Sequence, residues 1–303
     1  MHSKQLLIIT IIQLASLLNV SAQGALCSWL SPQTPEGGRQ YLFRRDFLPS
    51  SDIDEAFVNV SSDGPFRLFV NGRVVYSAYD ACCDKAYNVD VSGYMRNDSN
   101  TVAVWCAPDV NRSYGDDNEN MLALSLYGKY ADGKTFSCST DSSWLCAPAN
   151  VVSLADGEAM DAREYVQDWN MYTIPMQMMW SNARETGVAW VETWPLYTAR
   201  GLSDYNIKVV RTSSFDVDDD GKTVAYNFGK AFWGTYRITV RDAKRGERIW
   251  IDSSEYVCKG VLDEQFVGRF VHKGIRKVVI SGDGNFRKSH VVKVEGIAVT
   301  PSI

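Results

Sequence analysis

The sequence predicts an all-β protein made of two antiparallel domains in tandem, each a sandwich or a barrel. Short runs of alternating apolar and polar residues recur along most of the chain, and Gly, Asn and Asp turns separate them. The pattern is interrupted once, from about residue 155 to residue 204. With 303 residues and 45% hydrophobic side chains, the chain is long enough for two cores.

The first 22 residues are predicted to be a signal peptide. A short basic start precedes an apolar run from Leu6 to Leu18, and small residues lead up to a cleavage point after Ala22. The bulky Leu26 before Cys27 argues against a lipoprotein signal. The apolar run is short for a bilayer, and no later segment resembles a membrane span. We therefore expect a secreted or periplasmic protein.

The first domain begins after the signal peptide and is rich in predicted strands. Asn71-Gly72 interrupts an alternating run, and this pair is the strongest short-range signal for a tight hairpin. Thr, Val, Tyr, Phe and Trp are frequent in the runs, as expected for strands. The predicted strand segments are 41–49, 55–63, 66–80, 101–107 and 121–130.

Residues 169–204 lack strand alternation and are rich in Trp and Met. One interpretation is an aromatic surface for a glycan; the favoured one is a connector packed between the two domains. A short helix is expected just before it, near Asp161 to Asp168. The aromatic and thioether side chains concerned are Trp169, Trp180, Trp190, Trp194, Met171, Met176, Met178 and Met179.

Strand alternation returns at Tyr205 and continues almost to the C-terminus, which predicts a second antiparallel β domain over 205–303. The acidic stretch Asp216–Val224 has the density of a calcium loop. It lacks the Glu at the twelfth position of an EF-hand, so a charged hairpin turn is the preferred interpretation.

Charge and composition exclude several function classes. A net charge of −5 without a Lys and Arg cluster argues against a nucleic-acid partner. The chain has three histidines, one of them in the signal peptide, which speaks against a His-based zinc site or a catalytic triad. Of the seven cysteines, Cys138 and Cys146 flank a short polar loop and form the most plausible local disulfide.

Several phrases resemble the N-terminal half of bacterial α-L-rhamnosidases. In the first domain these include "FRRDFLP", "STDSSWLCAP" and "GEAMDAREYVQDW", the last being the most specific. In the second domain "YNFGKAFWGTYRITV" resembles a strand pair of the same family, although Asn227 stands where Asp is common there. The resemblance implies two antiparallel β-sandwich (jelly-roll) domains in tandem: a galactose-binding-like jelly roll over 24–168 and a concanavalin-like sandwich over 205–303.

In that family the catalytic acid and base lie in a large (α/α)-barrel that follows these two domains, and the sequence ends at Ile303, where such a barrel would begin. Glycoside hydrolysis needs two suitably spaced carboxylates. The candidates near the connector are Glu158, Asp161, Glu164 and Asp168, and no motif selects among them.

The resemblance also points to a binding loop. Some jelly rolls of the rhamnosidase type bind terminal L-rhamnose with calcium through an Asp-Asn pair. Here Asp117 and Asn118 are the matching candidates for sugar binding, with Arg112 and Tyr114 as further sugar contacts, and Asp116 with Asp117 as calcium ligands. Carboxylate and carbonyl oxygens suit calcium. A solvated acidic turn is the equally weighted alternative.

Two functions of different classes follow. The preferred one is an exported, non-catalytic carbohydrate-binding protein that acts beside glycan-degrading enzymes. The alternatives are a minimal rhamnosidase-like glycoside hydrolase, and a subunit or remnant that docks on a separate catalytic chain.

Overall fold

The computed structural model describes residues 27–109, 121–173, 178–189, 196–199, 201–218 and 222–302. Within these ranges the chain consists of strands, turns and three 3-10 turns, without an α-helix. The all-β prediction is confirmed. The short helix expected near Asp161 is a single 3-10 turn. The three 3-10 turns are Ser92–Tyr94, Ala162–Glu164 and Lys288–His290. No helix in the described ranges is long and apolar enough to cross a bilayer.

The first domain is a two-sheet sandwich. One sheet has the order β13-β1-β8-β3-β6-β14, with β9 beside β8, and the facing sheet runs β10-β2-β7-β4-β5. The strands are β1 (Cys27–Ser31), β2 (Arg39–Phe47), β3 (Ile53–Ser62), β4 (Phe66–Val70), β5 (Arg73–Ala78), β6 (Ala86–Asp90), β7 (Asn100–Cys106), β8 (Leu122–Tyr130), β9 (Thr135–Ser139), β10 (Leu145–Ser153), β11 (Glu158–Asp161), β12 (Ser181–Asn182), β13 (Arg184–Ala189) and β14 (Leu196–Thr198).

The Asn71-Gly72 hairpin forms as the sequence predicts. Both residues have positive φ, 51° and 79°, and Val70 pairs with Arg73 across the two-residue turn. Asn71 is also buried, and its side chain accepts a hydrogen bond from the backbone N–H of Thr101 at 2.9 Å. The turn is therefore fastened to β7 as well as to β5.

The β10-β2-β7-β4-β5 sheet is buried on both of its faces. Phe43 and Leu68 point into the core between the two sheets, whereas Leu42, Phe69 and Trp105 point the other way. Successive residues of a strand alternate between faces, so one run of apolar residues supplies two cores. The second of these cores is shared with the second domain, where it continues through strands of the C-terminal half.

The segment predicted as a connector contributes strands to the first domain. β13 pairs with β1, β14 pairs in parallel with β6, and β12 pairs with the first two residues of β10. Trp169 is 2% exposed and packs edge-on against Phe69 and Trp105, and Trp180 packs against the same shared core. Trp190, Trp194 and Met176 lie outside the described residues.

The second domain is built around one long strand, β17. Its first half pairs with β16 and β21, and its second half pairs with β22 and β20, so both parts of the domain use it. The strands are β15 (Tyr205–Arg211), β16 (Ser214–Val217), β17 (Val224–Arg241), β18 (Arg248–Ile251), β19 (Ser254–Val257), β20 (Asp263–Val267), β21 (Lys273–Gly282) and β22 (Val291–Pro301).

A break in register lies in the middle of β17. The pairing with β21 shifts between Asn227 and Phe232, and Gly229 and Gly234 have φ values of 76° and 152°. A Cβ at Gly234 would lie 2.0 Å from the carbonyl oxygen of Ile297. Glycine is required there because the two strands approach closely and the backbone is in the left-handed region.

The two domains are joined by a parallel strand pair. Residues 159–161 of β11 pair with residues 255–257 of β19, and this pairing extends the sheet of the first domain into the second. Fifteen of the described strands consequently belong to one hydrogen-bonded network. A continuous sheet and a shared core make the relative position of the domains part of the fold, and this position creates the groove described below.

The predicted disulfide between Cys138 and Cys146 is wrong, since both side chains are free thiols. Cys138 lies on β9 and Cys146 on β10, which belong to different sheets. The two thiols therefore lie on opposite walls of the core between the sheets, not side by side on paired strands.

Candidate functional site

The loop that the sequence predicts as a sugar and calcium site lies outside the described residues. Arg112, Tyr114, Asp116, Asp117 and Asn118 all fall within residues 110–120.

A groove lies between the two domains. Pro108 and Asp109, which immediately precede the loop, form part of the groove wall. The groove has a volume of about 560 Å³, within the range of small-ligand sites. We call it the interdomain groove; it is lined by Pro65, Tyr79, Asp80, Ala81, Cys82, Pro108, Asp109, Ser153, Ala155, Asp156, Tyr205, Trp233, Phe270, Val271, His272 and Lys273.

Trp233 gives the interdomain groove an exposed aromatic surface. It follows the register break in β17 and is 60% exposed, the largest exposed fraction among the tryptophans of the described residues. The residue directly opposite on β21 is Gly274, which contributes no side chain over the ring. A flat indole exposed in this way can stack against the C–H face of a sugar ring while the sugar hydroxyls stay hydrated.

A second aromatic group lies deeper in the interdomain groove. The Tyr79 ring is 4.4 Å from the His272 ring and 5.7 Å from the Tyr205 ring, measured between centroids. Burial, together with the positive charge of Arg67, lowers the pKa of His272 to about 4. His272 is therefore neutral at pH 5–8, and its ring offers one hydrogen-bond donor and one acceptor.

Charged groups on the rim supply further hydrogen-bonding capacity. Asp80, Asp109 and Asp156 bring three carboxylates to the groove, and Lys273 brings one ammonium group. The Lys273 ammonium donates a hydrogen bond to the backbone carbonyl of Asp156 at 3.1 Å, and the Asp80 carboxylate lies 3.6 Å from the Lys85 ammonium. Carboxylates next to aromatic rings can accept hydrogen bonds from the hydroxyls of a stacked sugar.

A buried carboxylate holds the wall that contains Phe270 and His272. Glu158, on β11, is 1% exposed and accepts hydrogen bonds from the backbone N–H groups of Arg269 at 2.6 Å and Phe270 at 3.1 Å. Its other partner is the Gln40 side chain of β2, at 3.0 Å. Glu158 therefore links the first domain directly to the groove wall of the second.

The same network continues into the shared core. The Gln40 side chain accepts a hydrogen bond of 2.7 Å from the indole N–H of Trp105. The Arg269 guanidinium lies 4.2 Å from the centroid of the Trp105 ring, a cation–π contact. Burial, together with the nearby charge of Arg67, lowers the pKa of Arg269 to about 10. These contacts make the groove wall a fixed part of the domain junction.

Two of the four candidate acids have structural roles. Glu158 is enclosed by its hydrogen-bond donors, and burial raises its pKa while those donors oppose the rise. Asp161 forms an ion pair of 2.6 Å with Arg163, which holds its pKa below the ordinary value. Glu164 and Asp168 are exposed and line a separate surface cavity beside Arg163, away from the interdomain groove.

Within the described ranges, no group of three or more His, Cys, Asp or Glu side chains could hold a metal ion. The predicted calcium ligands Asp116 and Asp117 lie outside those ranges.

Sequence reasoning missed Trp233, Tyr79 and His272 as groove residues. They come from strands or loops far apart in the chain, and their proximity depends on how the domains pack. One local signal was available for Trp233, because it lies between Phe232 and Gly234 at a point where the strand pattern breaks.

Two β-sandwiches joined through one sheet define the class of protein, and solved structures share this fold. The chain is similar to parts of the α-L-rhamnosidase from Dictyoglumus thermophilum (21% identity, TM-score 0.75) and of the native α-L-rhamnosidase from Aspergillus terreus (16%, 0.72). It is also similar to part of the Streptomyces avermitilis α-L-rhamnosidase, which was solved with L-rhamnose (21%, 0.71). At these identities the likeness shows a common fold.

A comparison with family models finds a match over part of the chain. Residues 51–198 match the alpha-L-rhamnosidase N-terminal domain, and the resemblance predicted from the sequence is confirmed. The three structural matches cover 91%, 91% and 89% of this chain but 36%, 36% and 29% of the matched chains. The chain thus spans about a third of the length of those enzymes. A search of curated proteins finds no match.

Proposed function

We propose that this chain is a non-catalytic carbohydrate-binding protein and that it captures glycan in the interdomain groove. The single observation that carries the proposal is Trp233, which is 60% exposed at the groove with a glycine directly opposite. A protein folds with such a ring exposed at a cost in hydrophobic burial. A ligand with an apolar face and a polar edge, such as a sugar ring, covers the exposed indole and recovers that burial.

The other groove residues support a sugar rather than an apolar ligand. Neutral His272 and the carboxylates of Asp80 and Asp156 combine donors and acceptors around the aromatic surface. Sites that bind polyhydroxylated ligands need this mixture because each buried hydroxyl must find a partner.

The loop over residues 110–120 belongs to the same proposal. In the sequence it follows Asp109, which lines the groove, and it carries the residues predicted to bind a terminal L-rhamnose: Arg112, Tyr114, Asp117 and Asn118. Asp116 and Asp117 would hold calcium, which takes oxygen ligands. Loss of sugar affinity on addition of EDTA, with recovery on addition of calcium, is the expected result.

Export and the absence of hydrolysis complete the proposal. The protein would act outside the cytoplasm, after cleavage following Ala22, beside a separate glycoside hydrolase. Incubation of the mature chain with aryl α-L-rhamnosides should release no product. Measurable turnover that is lost in Glu164→Gln or Asp168→Asn would support the alternative, a minimal rhamnosidase-like hydrolase that uses the two exposed carboxylates.

The decisive experiment compares two exposed tryptophans. A glycan array identifies ligands of the mature chain, and titration calorimetry measures their affinity for wild type, Trp233→Ala and Trp250→Ala. Trp250 is 40% exposed on β18 and lies outside the groove lining, so it is a matched control. We expect Trp233→Ala to weaken binding by about tenfold or more, which corresponds to about 1.4 kcal/mol, and Trp250→Ala to bind like wild type.

Two outcomes count against the proposal. The first is a correctly folded protein that binds no glycan on a broad array. The second is a ligand whose affinity is the same for wild type and for Trp233→Ala.

A further inference from the structure

A second groove lies next to the interdomain groove. It has a volume of about 950 Å³ and runs along the edge of the second domain where β15 meets β14 and β5. We call it the strand-edge groove. Tyr79 and Tyr205 line both grooves, so the two are continuous and meet at this pair of rings.

The strand-edge groove has the same kind of lining as its neighbour. Tyr197 on β14 is 48% exposed, and its ring lies 5.9 Å from that of buried Tyr87, which supports it from behind. Arg67 and Asp204 provide a donor and an acceptor on the groove wall. The Arg67 side chain donates a hydrogen bond to the Ser77 hydroxyl at 3.2 Å and is thereby oriented.

The aromatic side chains are distributed over the two grooves. Trp233 lies in the interdomain groove, Tyr79 and Tyr205 form the boundary, and Tyr197 lies in the strand-edge groove. A terminal monosaccharide would need one of these surfaces. Several aromatic surfaces in a continuous depression instead match several successive units of a chain.

The charge of the combined grooves restricts the ligand further. Four carboxylates and two cationic side chains line them, the Lys85 ammonium lies 3.6 Å from one of these carboxylates, and His272 is neutral. The surface is therefore net negative, and it would repel the carboxylate groups of uronic acids. The charged groups are Asp80, Asp109, Asp156, Asp204, Arg67 and Lys273.

We propose that the ligand is an extended neutral oligosaccharide that lies across both grooves and passes over the Tyr79–Tyr205 pair. This inference rests on the proposed carbohydrate binding and adds the length and charge of the ligand. It makes Tyr197 a determinant of affinity for long chains, because a short ligand held at Trp233 does not reach it.

The test uses neutral oligosaccharides of one to six units, taken from gluco-, manno-, galacto- and rhamno-series, and oligogalacturonides of the same lengths. Calorimetry compares wild type, Tyr197→Ala and Tyr172→Ala. Tyr172 is 43% exposed and lies outside both groove linings, so its variant controls for the loss of an exposed tyrosine. Thermal unfolding confirms that each variant is folded.

The proposal predicts that affinity rises with chain length for at least one neutral series. Tyr197→Ala should weaken binding of the hexasaccharide by about tenfold and leave the mono- and disaccharide within about twofold, while Tyr172→Ala has no effect. Trp233→Ala should weaken binding at every length.

Three results would overturn it. A monosaccharide that binds as tightly as its hexasaccharide excludes an extended ligand, and so does a Tyr197→Ala variant that binds the hexasaccharide normally. Oligogalacturonides that bind more tightly than every neutral series exclude the charge argument. In each of these cases carbohydrate binding itself still stands, whereas the absence of binding to all probes refutes the proposed function together with this inference.

Discussion

Replacement of Glu158, which is 1% exposed, by alanine should destabilise the protein strongly. The carboxylate satisfies the backbone N–H groups of Arg269 and Phe270 and the Gln40 amide, at 2.6, 3.1 and 3.0 Å. Truncation leaves two backbone N–H groups and one N–H of the Gln40 amide without this acceptor, and each fully buried group of this kind costs about 1–3 kcal/mol. Removal of a buried charge recovers part of that cost, so we expect a net loss of about 3 kcal/mol.

That loss is a large fraction of an ordinary folding free energy of about 5–15 kcal/mol. The assay is urea unfolding followed by fluorescence, with the midpoint and slope compared for wild type and Glu158→Ala. Glu164→Ala is the matched control, because Glu164 is exposed and lies six residues further along the same phrase. It should change the stability by less than about 0.5 kcal/mol.

A second variant separates the acceptor from the charge. Glu158→Gln keeps one acceptor oxygen and turns an amide N–H₂ toward donors, so its loss should be smaller than that of Glu158→Ala but still clear. The reasoning is refuted if Glu158→Ala unfolds within about 1 kcal/mol of wild type, or if the Gln variant is the less stable of the two.

Further predictions concern pH, backbone, thiols and cooperativity. The pKa of His272 is about 4 in the folded state against an ordinary 6.5, so the stability is complete above pH 6.5 and falls by up to about 3 kcal/mol as the pH drops toward 4. In His272→Gln the urea midpoint should depend less on pH over this range. A pH dependence equal to that of wild type contradicts the assignment. Gly234→Ala should prevent normal folding, because its Cβ would meet the Ile297 carbonyl oxygen. Gly274→Ala, whose Cβ would meet nothing within 4 Å, should have nearly the thermal stability of wild type. Equal stabilities of the two variants would disprove the close approach of β17 and β22 at Gly234. Burial raises the pKa of the Cys106 thiol to about 12 and that of Cys146 well above its ordinary value, so both should resist iodoacetamide at pH 8 until the protein unfolds, as checked by mass spectrometry; rapid native labelling would contradict this. Because the domains share a core and a sheet, calorimetry should show one unfolding transition, and two well-separated transitions would argue against a fixed junction.

The elements of this fold were predictable where their signals are local. The Asn71-Gly72 turn needs positive φ at two neighbouring residues, and Asn followed by Gly is the residue pair that best tolerates this conformation. The alternation in β2, β4 and β7 likewise marks strands, and Trp105 is buried as its position in a strand indicates. What the alternation did not reveal is that both faces of these strands are covered, because that depends on a second domain more than a hundred residues away.

The domain junction and the interdomain groove could not be predicted from local sequence patterns. β11 has four residues and pairs in parallel with β19, about a hundred residues later, and nothing in either strand specifies that partner. The segment 169–204 carries weak alternation because its strands are short and lie at sheet edges. The interdomain groove combines Tyr79, Trp233 and His272, so it exists only once the junction has formed.

The cysteine prediction was wrong for a related reason. Cys138 and Cys146 are close in sequence, but the chain crosses from one sheet to the other between them. Sequence proximity is a poor guide to pairing in a sandwich, where consecutive strands often lie in opposite sheets.

The central claim is that sugar stacks on Trp233, and NMR of the indole N–H groups tests it most directly. In ¹⁵N-labelled mature protein the Trp233 and Trp250 signals are assigned through the variants Trp233→Phe and Trp250→Phe, and the best ligand from the array is titrated in. The account predicts that the Trp233 signal shifts in a saturable manner with the calorimetric affinity while the Trp250 signal stays in place. Saturable binding that leaves the Trp233 signal unmoved would contradict it.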